Sequence, residues 1–389
     1  MRVFAMWLLV AACLAAQSAD ARLLREFDAL MKQGAAAGET DPAAAREAAD
    51  AWKRQLDAFV DSWRPEAATL KEGRWIFAKA LLLAGKPAEA APLLEAFCRE
   101  HPGHEDFEDA WMSHASARLE MGEPARAKAL LETFLKERPT STRAIPARYY
   151  LGIALSALLE DAAAIEAFDV VVRDGGRHPL VADANLKALS TLAESGRVAD
   201  ARTRLAPLRK EYPDAPALIA LGEQFDAIGR PVSGVTDSVR WISGTHPLAF
   251  DRGRPTVVVF FADFYESSVE ELGRVNGVAA GLAEKGVDVI AFTKRYRAKS
   301  RTEDEEAAIL KTFVDGRGIT FPVAMLSGEA TLRSWGVRGL PHVVVIGRDG
   351  KVVGLKVGAA RRDPRSAALL GRMVDRALSV PRAPVDGGR

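Results

Sequence analysis

The chain is poor in cysteine. Only Cys13 and Cys98 occur among its 389 residues. Removal of the export signal predicted below would take Cys13 away, and the single remaining thiol could form no disulfide within the mature monomer. Cys98 follows Leu93, Leu94 and Phe97 at helical spacing, which favours a small core side chain over a reactive thiol. The cysteine content therefore counts against a redox enzyme in an oxidising compartment.

The chain also lacks an excess of charge of either sign. Its 53 lysines and arginines nearly balance its 52 aspartates and glutamates. This balance argues against binding to nucleic acid or to acidic lipid through bulk charge. His101 and His104 flank Pro102-Gly103 without a second pair of ligands. We therefore predict neither a metal site nor a cofactor.

No transmembrane span is predicted for the mature chain. The apolar run Val3–Ala16 follows Arg2 and is short for a bilayer, at ~1.5 Å per residue against a ~30 Å core. With the small-x-small site Ala19-Asp20-Ala21 after it, the run predicts a signal peptide at residues 1–21 and export, most simply to a periplasm. An amphipathic first helix is the alternative, although the run has no polar face. Val10–Cys13 also fits a lipobox, so a lipid anchor at Cys13 is a further alternative.

Residues 22–228 carry helical apolar spacing and no convincing strand. A short motif recurs at Gly85–Ala90, Gly122–Ala127, Glu160–Ile165 and Gly196–Ala201. The copies are followed by Pro102, Pro139, Pro179 and Pro213, which lie 37, 40 and 34 residues apart. A period of this length indicates stacked helix pairs, and the pattern resembles tetratricopeptide repeats. We predict an all-α solenoid whose surface binds a protein or peptide partner; a generic helical bundle is the alternative.

The second half has a different pattern. After a predicted linker and domain entry at residues 229–254, β-branched runs alternate with helical patterns over residues 255–380. The predicted strands are Thr256–Phe261, Val287–Phe292, Phe321–Leu326, His342–Ile346 and Lys351–Val357. The predicted helices are Ser268–Lys285, Thr302–Gly316, Glu329–Trp335 and Pro364–Leu378. These elements predict an α/β domain with a mixed central sheet, followed by a disordered tail at residues 381–389.

Three segments of this half resemble the thioredoxin superfamily, particularly exported thiol–disulfide interchange (TlpA-like) proteins and their peroxiredoxin relatives. Thr256–Leu272 has the family's strand-turn-helix outline, and Gly336–Pro341 matches the loop that carries the family's cis-proline. His342–Val357 matches the two strands after that loop. The resemblance implies a thioredoxin-like fold in which Pro341 is the candidate cis-proline.

The chain departs from this family at the catalytic cysteines. In family enzymes the first cysteine of Cys-x-x-Cys lies at a helix start, whose positive end lowers the thiol pKa. The matching positions here are Tyr265 and Ser268. A serine hydroxyl neither ionises near neutral pH nor forms a stable disulfide, and no cysteine lies between Pro255 and Arg389. We therefore predict no catalytic residue in this domain.

The residues that replace the cysteines suit a helix start. Ser267-x-x-Glu270 and Ser268-x-x-Glu271 are both capping-box patterns, which predicts that they stabilise the helix. The alternative is a retained groove that binds a peptide or a small ligand. The resemblance implies its lining: Tyr265, Glu266, Ser267, Ser268, Leu340, Pro341 and His342.

A basic loop follows the second predicted strand of this domain. Lys294-Arg295-Tyr296-Arg297 continues to Lys299 and Arg301. Ligands favour this end of strands in α/β folds, and cations around an aromatic ring suit an anionic group. The loop is thus a candidate anion or partner site, with a solvated surface loop as the alternative.

Three functional hypotheses follow. The leading one is an exported, non-catalytic interaction or scaffold protein that combines the helical repeats with a redox-inactive thioredoxin-like domain. The second is a protein associated with thiol–disulfide oxidoreductases, which binds their partners or forms a mixed disulfide through Cys98. The third is a ligand-binding sensor that uses the basic loop at residues 294–301.

Overall fold

The computed structural model of the protein describes residues 18–35, 42–232, 234–251, 253–357 and 365–381. The chain divides into two compact units, Met1–Leu158 and Leu159–Arg389. Most of the predicted signal peptide, with Cys13, lies outside the described residues, as does most of the predicted tail. Asp20 of the predicted cleavage site belongs to a helix, and its carboxylate accepts hydrogen bonds from the backbone N–H groups of Lys71 and Gly73 at 3.1 and 2.9 Å. Cleavage at this site stays a prediction.

The described part of the first unit is built from helices. They are α1 (Ala19–Ala35), α2 (Pro42–Trp63), a 3-10 helix (Arg64–Thr69), α3 (Arg74–Leu83), α4 (Pro87–Glu100), α5 (Phe107–Glu120), α6 (Pro124–Glu137) and α7 (Ala144–Ala157). Trp63, Leu94 and Phe97 are buried in one core cluster between these helices. Ala90 and Ala110 in the same cluster are fully buried, and such small side chains allow a short interaxial distance.

The second unit begins with four helices and continues into an α/β domain. The helices are α8 (Asp161–Asp174), α9 (Leu180–Glu194), α10 (Val198–Glu211) and α11 (Pro216–Ala227). The domain contains β1 (Val239–Ser243), β2 (Thr256–Phe260), α12 (Glu266–Glu284), β3 (Asp288–Lys294), α13 (Glu303–Gly316), β4 (Val323–Leu326), α14 (Ala330–Ser334), β5 (His342–Ile346), β6 (Val352–Val357) and α15 (Ser366–Ser379).

The helical repeats keep a constant period of 37 residues. The turns after α3, α5 and α9 contain Gly85, Gly122 and Gly196, with positive φ of 72°, 73° and 89°. Leu159 lies midway between the last two glycines and has a φ of 60°. A left-handed backbone is costly for leucine, so the repeat geometry persists where the glycine motif has degenerated. The predicted repeats are confirmed, with a more regular period than the prolines indicate.

The α/β domain is a mixed six-stranded sheet with the order β1-β4-β3-β2-β5-β6. The central strands β2, β3 and β4 run parallel, and β1, β5 and β6 pair antiparallel. Val257 and Val259 of β2 share a core cluster with α12, α13 and α15. Val258 and Phe260 face the opposite side, where they join a cluster with Trp335. The predicted mixed sheet is confirmed.

One strand lies within the predicted linker. β1 pairs antiparallel with β4 and its register shifts between Trp241 and Ser243. Further up the linker, the backbone N–H of Gly229 donates to the carbonyl of Val352 at 2.8 Å, and Val232 N–H donates to the Gly350 carbonyl at 2.9 Å. These bonds tie the chain after α11 to the β6 edge of the sheet.

Candidate functional site

The start of α12 holds Tyr265 and Ser268, the positions predicted to match the family cysteines. The helix begins at Glu266, and Tyr265 before it has an extended backbone (φ −98°, ψ 111°) with no side-chain cap. Ser267 and Ser268 therefore already lie inside the helix, and the predicted capping boxes do not form. That prediction is wrong because the helix begins earlier than the serine pattern requires. A complete capping box occurs instead before α13, where Thr302 pairs with Glu305.

Tyr265 and Ser268 lie in opposite environments. Phe264 and Tyr265 are 56% and 57% exposed, whereas Ser268 is fully buried. Its hydroxyl has no hydrogen-bond partner among the described residues. A shallow depression of about 370 Å³ beside the exposed pair is lined by Phe264, Tyr265, Glu266, Ser267 and Glu270. The position of the first family cysteine is thus open to a partner, and that of the second is not.

The loop before β5 meets this region at one edge of the sheet. Phe260 at the end of β2 pairs with His342 at the start of β5, so the segments beyond these two residues emerge together. The Leu340–Pro341 peptide bond is cis, as the resemblance implies. The chain before α12 and the cis-proline loop therefore lie at the same edge of the sheet.

His342 lies inside the domain rather than in an open groove. Its side chain is fully buried, and neither ring nitrogen has a hydrogen-bond partner in the part of the chain that the structure describes. Burial lowers the pKa of His342 to about 4, so the ring is neutral at neutral pH. Ser268 of α12 is likewise buried. Both side chains therefore lie in the interior of the domain and not on its surface.

Leu340 instead lines a second depression of about 410 Å³. Its lining is Lys294, Tyr296, Glu329, Leu332, Arg333, Val337, Arg338, Gly339 and Leu340. The structure thus brings part of the predicted basic loop beside the cis-proline loop. The residues predicted to line one groove are divided between two depressions and the interior. Ligand binding at either depression stays a prediction.

Two cations of the basic loop, Lys294 and Arg297, are paired with carboxylates. Lys294 bonds to Glu329, and its ammonium lies 4.7 Å from the centre of the Tyr296 ring. Arg297 donates to both carboxylate oxygens of Asp263 at 3.1 and 2.7 Å. The hydrogen bond and charge of Asp263 raise the pKa of the Arg297 guanidinium. An anion at this loop would therefore compete with existing carboxylates.

Glu306 organises the same loop and is not evident from the sequence. This buried carboxylate accepts hydrogen bonds from the backbone N–H groups of Tyr296 and Arg297 at 2.8 and 2.9 Å. Its other oxygen lies 3.7 Å from Nε of Arg295. One signal was available: Glu306 precedes Leu310 and falls on the buried side of α13. Burial, helped by nearby carboxylates, raises the pKa of Tyr296 to about 12.

A second buried charge cluster fixes α12 against β6 and α15. Oε2 of Glu271 lies 2.7 Å from Nζ of Lys356, and Glu271 also bonds to Arg274. The Ser366 hydroxyl accepts from Lys356 Nζ at 2.6 Å and donates to Glu271 at 3.3 Å. Sequence reasoning missed this cluster, although Glu271 falls on the apolar stripe with Leu272. One carboxylate is thus shared by an ammonium and a guanidinium, and the hydroxyl bridges the ammonium and the carboxylate where water is excluded.

Cys98 does not supply an alternative thiolate. Its side chain is half-buried, and burial raises the pKa of the thiol to about 12. Across the described ranges, no three His, Cys, Asp or Glu side chains are arranged to hold a metal ion. In the same ranges, every helix is too short or too polar to cross a bilayer.

Comparisons with known proteins agree with both halves. A tetratricopeptide-repeat family profile matches residues 109–141. Thiol-disulfide oxidoreductase ResA of Bacillus thuringiensis (strain Al Hakam) and that of Bacillus anthracis are each 29% identical over 112 residues, which are 29% of this chain and 60% of the relative. The chain thus spans about three-fifths of the length of the curated relatives it matches.

Solved structures that match part of the chain do so at lower identity. A thiol-disulfide isomerase from Corynebacterium glutamicum gives a TM-score of 0.32 at 22% identity, over 39% of this chain and 98% of that protein. A putative thiol:disulfide interchange protein DsbE from Chlorobium tepidum gives 0.31 at 23%, over 38% and 98%. The chain joins helical repeats, one of which matches the tetratricopeptide profile, to a thioredoxin-like α/β domain.

Proposed function

We propose that the protein is an exported, non-catalytic interaction protein in which a helical-repeat surface is joined to a redox-inactive thioredoxin-like domain. The observation that carries this proposal is the pair Tyr265 and Ser268 at the helix start. One is an exposed phenol and the other a buried hydroxyl, and neither can attack a disulfide at neutral pH. Export, most simply to a periplasm, rests on the signal pattern at residues 1–21.

A binding role is supported by what surrounds the lost cysteines. The sheet, α12 and the cis bond before Pro341 are all present without the reaction. Phe264 and Tyr265 form an exposed aromatic pair, with ring centroids 6.1 Å apart. Adjacent exposed aromatic rings are typical of surfaces that contact a partner. The expected partner of the protein is therefore another protein or a peptide.

A turnover assay tests the absence of catalysis. The purified chain is compared with its Cys98→Ser variant in insulin reduction and in peroxide consumption. We expect no turnover above buffer for either protein. Turnover that survives Cys98→Ser would contradict the proposal, because the mature chain would then hold no thiol.

Affinity capture from the native envelope fraction tests the interaction. Capture is done in parallel with the wild-type chain and with the variant Phe264→Ala/Tyr265→Ala. Partners recovered equally by both bind through the helical repeats, and partners lost by the variant bind at the α12 depression. Failure of both proteins to retain any partner would count against an interaction role.

Association with thiol–disulfide oxidoreductases is a second candidate. Its support is the 29% identity to the ResA relatives, whose name states that activity. Within this candidate, partner binding is favoured over a mixed disulfide because the pKa of Cys98 is raised to about 12. The sensor hypothesis has less support, since Lys294 and Arg297 are already paired with carboxylates.

A further inference from the structure

The 37-residue period allows the second and fourth helical repeats, α5–α6 and α9–α10, to be compared position by position. Arg138 follows α6 directly and Tyr212 follows α10 directly, with nearly the same backbone (φ −133°, ψ 57° and φ −126°, ψ 68°). Phe107 and Val181 each lie 15 residues before the turn glycine, Gly122 or Gly196. These positions are therefore equivalent, and their side chains differ in kind.

In the second repeat these positions close the space between the helix ends. The Arg138 guanidinium stacks 4.6 Å from the centre of the Phe107 ring. It also lies 3.3 Å from Oε1 of Glu108, whose other oxygen accepts from the Ser141 hydroxyl at 2.6 Å. A cation, an aromatic ring and a carboxylate thus connect the end of α6 to the start of α5 in this repeat.

In the fourth repeat the same positions leave a pocket. Phe107 is replaced by Val181, Glu108 by Ala182 and Arg138 by Tyr212. The three replacements line an apolar cavity of about 630 Å³, together with side chains that include Leu186 and Leu208. Tyr212 is 53% exposed, and a hydrogen bond to Glu211 raises the pKa of its hydroxyl. The volume is that of a typical ligand pocket.

One cation at the rim of this pocket suits an anionic neighbour. Arg177 lines the pocket, and within the described residues its side chain makes no ion pair or hydrogen bond. The rim also carries the acidic side chain of Glu211, which is hydrogen-bonded to Tyr212. His178 also lines the pocket, with Nδ1 accepting from the backbone N–H of Leu180 at 3.2 Å. Arg177 is therefore the charged group on this rim that has no partner among the described residues.

We propose that this pocket binds a peptide segment of a partner protein, in which a bulky apolar side chain enters between α9 and α10 and a flanking carboxylate pairs with Arg177. This inference rests on the proposed interaction function and names the chemistry of the partner.

The test measures peptide binding to the full chain by fluorescence anisotropy. Three labelled heptapeptides differ at their centre: Phe between two Asp residues, Phe between two Lys residues, and Ala between two Asp residues. We expect saturable binding of the first with a Kd below about 1 mM and at least tenfold weaker binding of the other two. Absence of saturable binding of the first peptide overturns the proposal, as does equal binding of all three.

Two variants locate the binding. The triple variant Val181→Phe/Ala182→Glu/Tyr212→Arg introduces the three residues that fill the equivalent space in the second repeat. It is expected to weaken binding at least tenfold. Arg177→Glu, an exposed change, is expected to reverse the preference between the Asp and Lys peptides. Lys285→Glu, an exposed change after the end of α12, is the matched charge control and leaves binding unchanged. Unchanged affinity in both pocket variants overturns the site.

The occupant and the broader proposal are tested separately. Free phenylacetate that binds as tightly as the Phe–Asp peptide would overturn the peptide as occupant and assign the pocket to a small molecule. The turnover assay with Cys98→Ser does not involve this pocket. Failure of the peptide proposal and failure of the non-catalytic proposal are therefore distinguishable.

Discussion

The two segments that meet at the edge of the sheet have changed to different extents. On the β5 side, the cis bond between Leu340 and Pro341 retains the family geometry. On the α12 side, Tyr265 and Ser268 occupy the cysteine positions. This fold forms without cysteines at these two positions, because the core lies in the strands and on the inner faces of the helices.

The largest effect is expected when cysteines are placed at both of these positions with Tyr265→Cys/Ser268→Cys. We expect an intramolecular disulfide and insulin-reducing activity at least tenfold above the wild-type background. The physical reason is that the positive end of α12 lowers the pKa of a thiol at its start. Thiol titration and insulin turnover, both in a Cys98→Ser background, provide the measurement.

The single variant Tyr265→Cys is the control, since it provides a thiol at the helix start without a second cysteine. It should form no intramolecular disulfide. A double variant that has the stability of the wild type but stays reduced and inactive would contradict the prediction. It would mean that the backbone at the start of α12 does not bring the two thiols together.

The sequence predicted those features that depend on local periodicity. The strands around Val257 and Val344 and the repeat turns at Gly85 and Gly122 follow from apolar spacing and glycine placement. It did not predict β1, because a five-residue strand with Arg240 and Trp241 lacks a clear alternation.

The candidate site was less predictable for a physical reason. The pattern marked Lys294 and Arg297 as cations but could not show that Glu329 and Asp263 neutralise them, since those carboxylates are 35 and 34 residues away. Similarly, the pairing of Glu271 depends on how α12 packs against β6. Charge compensation between distant elements is set by tertiary structure, which the periodicity of one element does not report.

The next prediction tests whether the inner side of α12 maintains the fold. Glu271→Leu leaves Lys356 and Arg274 without their shared buried carboxylate, so the free energy of unfolding should fall by about 3 kcal/mol. Chemical denaturation gives the measurement. Glu271→Leu/Lys356→Met should recover most of the loss, because replacing a buried ion pair by apolar groups is often neutral. Exposed Glu284→Leu is the control, with an expected change below about 0.5 kcal/mol. Equal losses in both single variants would contradict a special role for the cluster.

A pH dependence is expected on the β5 side. The folded pKa of His342 is about 4, below its ordinary 6.5, so protonation favours the unfolded chain. The stability that comes from the neutral ring is complete above pH 6.5 and is lost as the pH falls towards 4. The loss amounts to about 2 kcal/mol by pH 5. Urea denaturation of wild type and His342→Phe between pH 7 and pH 5 should show a shallower dependence in the variant. His178→Gln, a change outside the domain core, should keep the wild-type dependence; a parallel dependence in all three proteins would refute the assignment.

The smallest effect concerns Ser268, the position predicted to match the second family cysteine. The buried Ser268 hydroxyl has no hydrogen-bond partner among the described residues, and a buried polar group without a partner is destabilising. Ser268→Ala should therefore raise the free energy of unfolding by about 1 kcal/mol, measured by chemical denaturation. Ser267→Ala, on the partly exposed side of the same turn, is the control and should change it by less than about 0.5 kcal/mol. A loss of stability in Ser268→Ala would mean that the hydroxyl is bonded in solution. A gain would mean that this position still has the apolar surroundings suited to a thiol, so that the α12 start has changed in its side chains more than in its environment.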